Sequence, residues 1–341
     1  MMGVDKNRQW RLARRPKGMV TEADFTYHEG AVPEPADGHC LVRTLYVSFD
    51  PAMRAFLNEG PSYVPAQPVG EVMRAGAVGQ IVDSRCAGFD AGSFVVGGFG
   101  WQDYAAVPGS AVMKVDARFP LPHYLSVLGG TGLTAYFGLL RVGEPKPGET
   151  VVVSGAAGAT GSTVVQIARI KGCRTVGIAG GAAKCRWLTD ELHVAGAIDY
   201  RANALTERLR ELCPDGIHVY FDNVGGTVLE AAIRNMALHG RIVVCGMISV
   251  YNAEQPQPGP SNLFELVTRR VRMEGFLVGD YAAEFAEGRR ELETWLDSGA
   301  LKAYVDVQAG FENIPRTFLR LFTGRNVGKQ VLKLADPPLQ R

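Results

Sequence analysis

The sequence has almost no net charge and no long apolar segment. Its 36 basic and 35 acidic residues leave a formal charge of +1, which excludes a strong overall attraction to nucleic acid or to an anionic membrane. No segment approaches the ~18 consecutive apolar residues that a membrane-spanning helix needs. The basic residues between 8 and 17 precede no apolar signal core, so we interpret them as an exposed strand and expect a cytoplasmic protein.

Cysteine and histidine are scarce and scattered. None of the six cysteines belongs to a CxxC pair, and none of the six histidines stands at ligand spacing from a cysteine or carboxylate. The pattern therefore indicates neither a disulfide framework nor a structural zinc lobe. The three protein ligands of a catalytic zinc cannot be assembled from neighbouring positions. We expect no bound metal, while ligands that meet only in the folded chain stay open as an alternative.

A glycine-rich turn is the most informative feature that the sequence does contain. The segment VVVSGAAGATG at 151–161 combines an apolar strand with a turn that opens a helix. Gly158 has no Cβ, so a pyrophosphate can approach the backbone, and Gly161 lets the helix pack closely. The helix N-terminus, with Ala159 and Thr160, aims N–H groups and a positive dipole at the anion.

The end of the next predicted strand lacks an acidic residue. An NAD-binding fold places Asp or Glu there, about 20 residues past the glycines, to hold the adenosine ribose. This chain has Gly180-Gly181-Ala182-Ala183-Lys184 instead. No carboxylate repels a 2′-phosphate, the glycines leave room for it, and Lys184 offers a cation. The pattern indicates NADP rather than NAD, although an exposed lysine in the first turn of a helix stays an alternative for Lys184.

The pattern of the chain changes twice along its 341 residues, which suggests about two domains. Short apolar runs in 1–125 predict an antiparallel barrel or sandwich, and alternating strands and helices in 126–300 predict parallel βαβ units. Strand-like segments return in 301–341. The predicted strands are 39–47, 79–82, 94–97, 151–154, 174–179, 217–222, 241–245, 271–278, 304–307 and 329–334. The predicted helices are 160–171, 183–191, 204–212, 227–237 and 262–269.

Short blocks through nearly the whole length carry a family resemblance. They are NRQWRLARRP at 7–16, DPAMR at 50–54, GEVMRAG at 70–76, GLTAYFGLL at 132–140, the glycine turn, DNVGG at 222–226, CGMISVYN at 245–252, GFLV at 275–278 and GRNVGKQV at 324–331. The chain resembles the zinc-independent medium-chain dehydrogenases/reductases, and more narrowly the alkenal double-bond reductases. The resemblance implies an α/β fold in which a doubly wound Rossmann sheet (126–300) is inserted in a mainly antiparallel, GroES-like catalytic domain (1–125 plus 301–341). It also implies a homodimer.

The resemblance also implies the contacts of an NADPH cofactor. The pyrophosphate lies on Gly158 to Gly161, and the 2′-phosphate lies by Gly180 on Lys184 and Tyr200. The nicotinamide half and its ribose are contacted by Asn223, Cys245, Gly246, Ile248, Ser249, Tyr251, Phe276, Leu277 and Val278, and Asn326 closes over the cofactor. For Cys245 and Phe276, core packing of the side chain is an equally supported alternative, so their backbone atoms are the preferred contacts.

The implied reaction reduces the C=C bond of an α,β-unsaturated aldehyde or ketone. Hydride reaches the β-carbon, charge gathers on the carbonyl oxygen, and a proton reaches the α-carbon, so a donor at that oxygen stabilises the transition state. Tyr251 is the catalytic candidate, since a phenol stays protonated at neutral pH. The alternative is that Tyr251 holds the ribose while solvent supplies the proton. Met53 and Tyr63 are substrate candidates, although such residues more often lie in the core.

Two other functions stay open at this point. A quinone reductase would use the same scaffold with a different hydride acceptor, and a noncatalytic NADPH-binding protein would bind cofactor without turnover. For the leading function the expected partners are a small-molecule enal or enone and a second copy of the chain, whereas the noncatalytic protein would use its cofactor to regulate contacts with a partner.

Overall fold

The computed structural model describes residues 6–60, 62–202 and 204–339. The chain divides by its internal contacts into two units. Unit 1 contains the described part of 1–125, Val305–Asn326 and the described residues from Gln330 onward; unit 2 contains Ser126–Tyr304 and Val327–Lys329. That 1–125 plus 301–341 and 126–300 form separate domains stays a prediction. Among the described residues, no helix combines the length and the apolar character needed to cross a membrane.

The strands and helices are numbered in chain order. The strands are β1 (Asn7–Leu12), β2 (Phe25–Gly30), β3 (His39–Ser48), β4 (Ala77–Ser84), β5 (Phe94–Gly97), β6 (Tyr104–Pro108), β7 (Val112–Lys114), β8 (Thr150–Ser154), β9 (Arg174–Ala179), β10 (Gly196–Asp199), β11 (Ile217–Asp222), β12 (Met236–Val244), β13 (Arg272–Gly275), β14 (Val305–Ala309) and β15 (Lys329–Lys333). The helices are α1 (Gly130–Phe137), α2 (Ala159–Ile170), α3 (Ala182–Asp190), α4 (Leu205–Leu212), α5 (Gly226–Arg234), α6 (Phe264–Arg269), α7 (Phe285–Asp297) and α8 (Ile314–Leu319).

Unit 1 is built on antiparallel strands. β1 pairs with β2, and a larger sheet has the order β14-β15-β3-β4-β5-β7, with β6 also on β3. Its core surrounds the fully buried Trp101, whose ring centroid lies 4.9 Å from that of Phe25, 5.8 Å from that of Phe49 and 5.6 Å from that of Phe318. Tilted and edge-on aromatic pairs of this kind contribute stability beyond the area they bury. The predicted antiparallel domain class is confirmed.

Unit 2 is built on a six-stranded parallel sheet with the order β10-β9-β8-β11-β12-β13. The order reverses between β8 and β11, which is the switch point at which doubly wound sheets bind ligands. Every residue of β8 is buried, because helices cover both faces of such a sheet and its central strands are therefore continuously apolar. The predicted Rossmann fold is confirmed.

Several elements of unit 2 differ from the sequence prediction. Strand β10 and helices α1 and α7 were not predicted, and the buried face of α7 explains why. It consists of Gly288 and Leu292 among mostly polar neighbours, so its apolar periodicity is weak. Strand β10 has only four residues, GAID, and it gains its stability from parallel pairing with β9 rather than from its own sequence.

Two boundaries near the end of the sheet were also predicted incorrectly. The helix predicted at 227–237 ends at Arg234, and β12 begins at Met236 rather than at residue 241. The strand predicted at 271–278 ends at Gly275. The reason is the neighbouring strand: the last pair of this ladder joins Val244 to Gly275, and no strand pairing beyond it is found in the described part of the chain.

Gly161 allows α2 to begin directly on the glycine turn. A Cβ placed on Gly161 would lie 2.8 Å from Ala156 Cα and 2.9 Å from the Gly155 carbonyl carbon. Backbone atoms cannot yield as a flexible side chain does, so any larger residue forces the helix away from the turn. The glycine is therefore required by packing, whether or not an anion binds beside it.

We predict that Gly161→Ala lowers the free energy of unfolding by about 1–3 kcal/mol, the usual effect of forcing an extra carbon into a packed site. Denaturant unfolding of the cofactor-free protein measures the change. Gly130→Ala is the matched control, because a Cβ on this first residue of α1 would meet nothing within 4 Å. An equal loss in both variants would show that helix packing against the turn is not the cause.

Candidate active site

The glycine turn leaves a set of donors at the start of α2. The Gly158 N–H donates to the Gly155 carbonyl at 2.9 Å, and the first helical bond is donated by Ser162 to Gly158 at 2.9 Å. No side chain of the described residues caps this helix. Three backbone N–H groups therefore have no acceptor among the described residues, those of Ala159, Thr160 and Gly161. Such groups, with the positive end of the helix dipole, form an anion site.

A segment far along the chain holds this turn in place. The Gly328 N–H donates to the Ala157 carbonyl at 2.8 Å, and Gly328 pairs with Gly158 in a parallel bridge. Gly328 has a φ of 69°, and a Cβ there would lie 2.7 Å from the Tyr304 carbonyl carbon. Only glycine fits both conditions. Sequence reasoning did not identify Gly328, although it lies in one of the blocks that carry the resemblance.

The ends of β9 and β10 meet beside Gly180 and Gly181. Asp199, the last residue of β10, pairs with Ala179 at the end of β9. Its Oδ1 accepts the N–H of Gly181 at 2.8 Å and the N–H of Arg201 at 3.0 Å. These two backbone donors hold the pKa of Asp199 below its usual range. The carboxylate therefore fixes the two strand ends to each other.

The side chains that follow β10 lie against Gly180. A Cβ placed on Gly180 would lie 2.9 Å from Tyr200 Cε1 and 3.1 Å from Arg201 Nε. The expectation that this glycine leaves room for a phosphate stays a prediction. Lys184 lies in the first turn of α3, where its N–H donates to Gly181 at 3.1 Å. The structure thus brings Gly180 and Tyr200 together, with Lys184 on the adjoining helical turn.

Asp222 organises the β11 side of the switch point. Its importance was not predicted from the sequence. Its carboxylate is fully buried at the end of β11, and no ion pair involving it is found among the described residues. Hydrogen bonds take the place of a cation: Oδ1 accepts the Ser154 hydroxyl at 2.8 Å and the Tyr220 hydroxyl, Val224 N–H and Gly225 N–H at 3.0 Å each. Together with burial, this carboxylate raises the pKa of Tyr220. The available sequence signal was a single acid that ends an apolar strand.

Asn223 is held at the switch point by strand β8. Its N–H donates to the Ser154 hydroxyl at 2.9 Å, and its side-chain Nδ2 donates to the Ser154 carbonyl at 2.7 Å. Ser154 ends β8, so Asn223 is fixed beside the strand that leads into the glycine turn. Its place at the carboxyl ends of two neighbouring strands is where a doubly wound sheet binds ligands.

The loop after β12 packs on the loop after β11. The N–H groups of Cys245 and Gly246 donate to the Asp222 carbonyl at 2.9 and 3.0 Å, and the Ser249 hydroxyl donates to the Val224 carbonyl. The Ile248 N–H donates to Asn223 at 3.3 Å. Burial, with Asp222 nearby, raises the pKa of the Cys245 thiol to about 12. The predicted residues of this loop are thus brought together with Asn223.

Tyr251 is folded back onto the same loop. Its hydroxyl oxygen accepts the Met247 N–H at 3.2 Å, which leaves the phenolic proton to be donated elsewhere. Burial raises the pKa of this phenol above 10, so the neutral, proton-bearing form is favoured across the neutral pH range. Tyr251 therefore has the chemical state that a proton donor needs.

Phe276 has its side chain packed inside unit 2. A Cβ placed on Gly138 would lie 2.8 Å from Phe276 Cε1, and the Phe276 and Phe221 rings lie 6.5 Å apart, edge to face. Leu277 is 43% exposed, and Val278 begins a short 3₁₀ helix that runs to Glu284. Backbone contact of 276–278 with a cofactor stays a prediction.

The remaining predicted site residues lie in unit 1. Met53 is buried in the core, where its sulfur accepts the Asp50 N–H at 3.5 Å. Tyr63 is 57% exposed, with its ring edge-on to Phe56 at 6.4 Å. Asn326 is almost fully buried. Contact of Met53 and Tyr63 with a substrate, and of Asn326 with a cofactor, stays a prediction.

Comparison with known proteins identifies the family. A family model described as the N-terminal domain of oxidoreductase matches residues 8–115, and one described as zinc-binding dehydrogenase matches 159–294. The NADPH-dependent curcumin reductase of Escherichia coli (strain K12) is 41% identical over 98% of this chain and 99% of its own, and the 2-alkenal reductase (NADP(+)-dependent) of Nicotiana tabacum is 41% identical over 89% of each. The chain belongs to the alkenal double-bond reductase group of the medium-chain dehydrogenases/reductases.

A solved structure has the same fold as this chain. CurA from Vibrio vulnificus in complex with NADPH matches with a TM-score of 0.92 and 38% identity, over 97% of this chain and 100% of its own. The resemblance seen in the sequence blocks is confirmed at the level of family and fold. The contacts that the alkenal reductase resemblance implies for individual residues stay predictions.

One matching family is described as zinc-binding, but the described residues form no cluster of zinc ligands. Within 6–60, 62–202 and 204–339, no group of three or more His, Cys, Asp or Glu side chains is placed to hold a metal ion. The expectation that this member of the alkenal reductases works without zinc stays a prediction.

We predict that Asp222→Ala lowers the free energy of unfolding by about 3 kcal/mol, because it leaves several buried donors without an acceptor. Tyr220→Phe is the matched control: it removes one donor to the same carboxylate and is expected to lower stability by about 1 kcal/mol. Thermal or denaturant unfolding measures both changes. A loss for Asp222→Ala no larger than the control would show that the carboxylate does not organise the loops.

Proposed function

We propose that this chain uses NADPH to reduce the C=C double bond of α,β-unsaturated aldehydes and ketones. The observation that carries the proposal is the switch point itself. Open N–H groups at the start of α2 fit a pyrophosphate, and the end of β9 has Gly180-Gly181 and a nearby Lys184 where an NAD site has an acid. The 41% identical relatives named as curcumin reductase and 2-alkenal reductase support the substrate class.

In this proposal, different residues around the switch point bind different parts of the cofactor. The N–H groups of Ala159, Thr160 and Gly161 hold the pyrophosphate, while Lys184 and Tyr200 hold the 2′-phosphate. Asn223 and the 245–251 loop orient the ribose and the nicotinamide. When bound there, NADPH supplies the hydride for the β-carbon of the substrate.

Tyr251 supplies a proton or a hydrogen bond to the substrate oxygen in this proposal. As hydride adds, negative charge gathers on the carbonyl oxygen, and a fixed O–H donor lowers the energy of that state. The Met247 N–H fixes the phenol oxygen and leaves the proton for the substrate. Met53 and Tyr63 are the candidates for contact with the substrate in this proposal.

We predict that Tyr251→Phe lowers kcat by about 100-fold, the usual scale of a lost general acid, with little change in the KM for NADPH. Steady-state kinetics across pH measures this. Because burial raises the pKa of the phenol above 10, the wild-type rate stays free of Tyr251 ionisation through neutral pH and declines only in more alkaline solution. A raised KM for NADPH with kcat preserved would assign Tyr251 to holding the ribose.

Product analysis tests the proposed reaction. With NADPH and a trans-2-alkenal, we expect the saturated aldehyde, and deuteride from labelled NADPH at the β-carbon. The allylic alcohol would show C=O reduction and contradict the proposal. Turnover of a benzoquinone but of no alkenal would identify a quinone reductase, and binding of NADPH without any turnover would identify a noncatalytic protein.

We also propose that the chain forms a homodimer through the β13 edge of the parallel sheet. All four residues of β13 are exposed, and helix α6, which precedes it in the chain, exposes Phe264 (75%) and Val267 (64%). An open edge strand with an apolar neighbour fits a second copy related by a twofold axis, which would continue the sheet.

Light scattering should give a dimer for the wild type and a monomer for Val267→Asp; a monomeric wild type would contradict this.

The compartment and the metal requirement complete the proposal. The described residues contain six free cysteines and no disulfide, which supports a reducing compartment such as the cytoplasm; cell fractionation tests it.

We expect activity to be unchanged after dialysis against EDTA. Inactivation that zinc reverses would place the protein in the metal-dependent branch of its family.

A further inference from the structure

The residues that follow β10 place a second cation beside Gly180. Besides Lys184, which the sequence pattern indicates, the guanidinium of Arg201 lies here. Its Nε would be 3.1 Å from a Cβ on Gly180, and its Nη1 would be 4.0 Å from a Cβ on Gly181. Arg201 therefore occupies the region in which an NAD-binding fold has the carboxylate that holds the adenosine ribose.

Asp199 fixes the backbone of Arg201 and also attracts its guanidinium electrostatically, but the side chain forms no close ion pair among the described residues. The Arg201 N–H donates to Asp199 Oδ1 at 3.0 Å, and the same oxygen accepts the Gly181 N–H at 2.8 Å. Asp199, the acid of this region, thus accepts hydrogen bonds from two backbone N–H groups through the same oxygen. The guanidinium lies 5.8 Å from the centre of the Tyr200 ring and forms no ion pair with a carboxylate among the described residues.

We propose that Arg201 is a specificity-determining residue, whose guanidinium binds the 2′-phosphate of NADPH together with Lys184 and Tyr200. The inference rests on the proposed use of NADPH and adds a residue that the sequence pattern did not indicate. A guanidinium presents a planar pair of donors that matches two phosphate oxygens, whereas the lysine ammonium acts as a point charge. NADH lacks this phosphate, so Arg201 contributes to the affinity for NADPH and not to that for NADH.

Binding measurements on Arg201→Gln test the proposal. The dissociation constants of NADPH, NADH and adenosine 2′,5′-bisphosphate are measured by calorimetry for each protein. We expect Arg201→Gln to weaken NADPH and the bisphosphate by about 10-fold or more, the range of one charge-assisted hydrogen bond, with NADH changed by less than about twofold. Arg201→Lys should recover part of the loss, since it keeps the charge without the planar pair of donors.

Arg210→Gln is the matched control, because it removes the same charge from the exposed face of the neighbouring helix α4. It should leave all three constants at their wild-type values. Lys184→Ala, alone and combined with Arg201→Gln, shows whether the two cations act on the same group. Both single variants should leave the dissociation constant of NADH unchanged. Equal losses of NADPH and NADH in Arg201→Gln, or no loss in either, would overturn the role of Arg201.

The outcomes separate this inference from the proposed function. A wild-type protein that binds NADPH no better than NADH would contradict the proposed cofactor and the role of Arg201 together. A wild type that prefers NADPH, with that preference unchanged in Arg201→Gln, would remove Arg201 alone. Failure to reduce any alkenal would contradict the reaction and leave the binding result standing, because no substrate takes part in the measurement.

Discussion

The candidate site depends on a buried carboxylate that forms no ion pair within the described part of the chain. Asp222 ends β11 beside the switch point, and its oxygens accept hydrogen bonds from two side-chain hydroxyls and from the loop that follows. A charge so placed is tolerated only when donors surround it. The donors therefore have to stay where they are: they are the hydroxyls of Ser154 and Tyr220 and the N–H groups of the loop that follows Asn223. The geometry of a ligand site follows from the satisfaction of one buried acid.

Asp199 has the same function on a smaller scale at the other end of the site. One carboxylate oxygen joins the turn after β9 to the residue after β10. In both places an acid at the end of a parallel strand is used by backbone N–H groups of neighbouring loops. The carboxylates thus shape the edge of the sheet, while the groups that we propose for binding the anionic cofactor are N–H groups and cations.

Local patterns in the sequence predicted the parts of the fold that depend on near neighbours. The apolar run at 151–154, the glycine turn and the alternation of strands and helices all concern residues within a few positions of one another, so the Rossmann class and the missing acid at 180–184 were predictable. Gly328, Asp222 and Arg201 were not, because their roles depend on partners that lie far along the chain or on strand ends that meet only in the sheet. The end of β13 depends on where β12 ends, for the same reason.

The bond between Gly328 and Ala157 has a consequence for biosynthesis. Gly158 of the glycine turn leaves the ribosome about 170 residues before Gly328, at roughly 5–20 residues per second. For that interval, the nascent chain has the glycine turn without one of its native supports. Completion of the turn is thereby coupled to synthesis of the segment around Gly328.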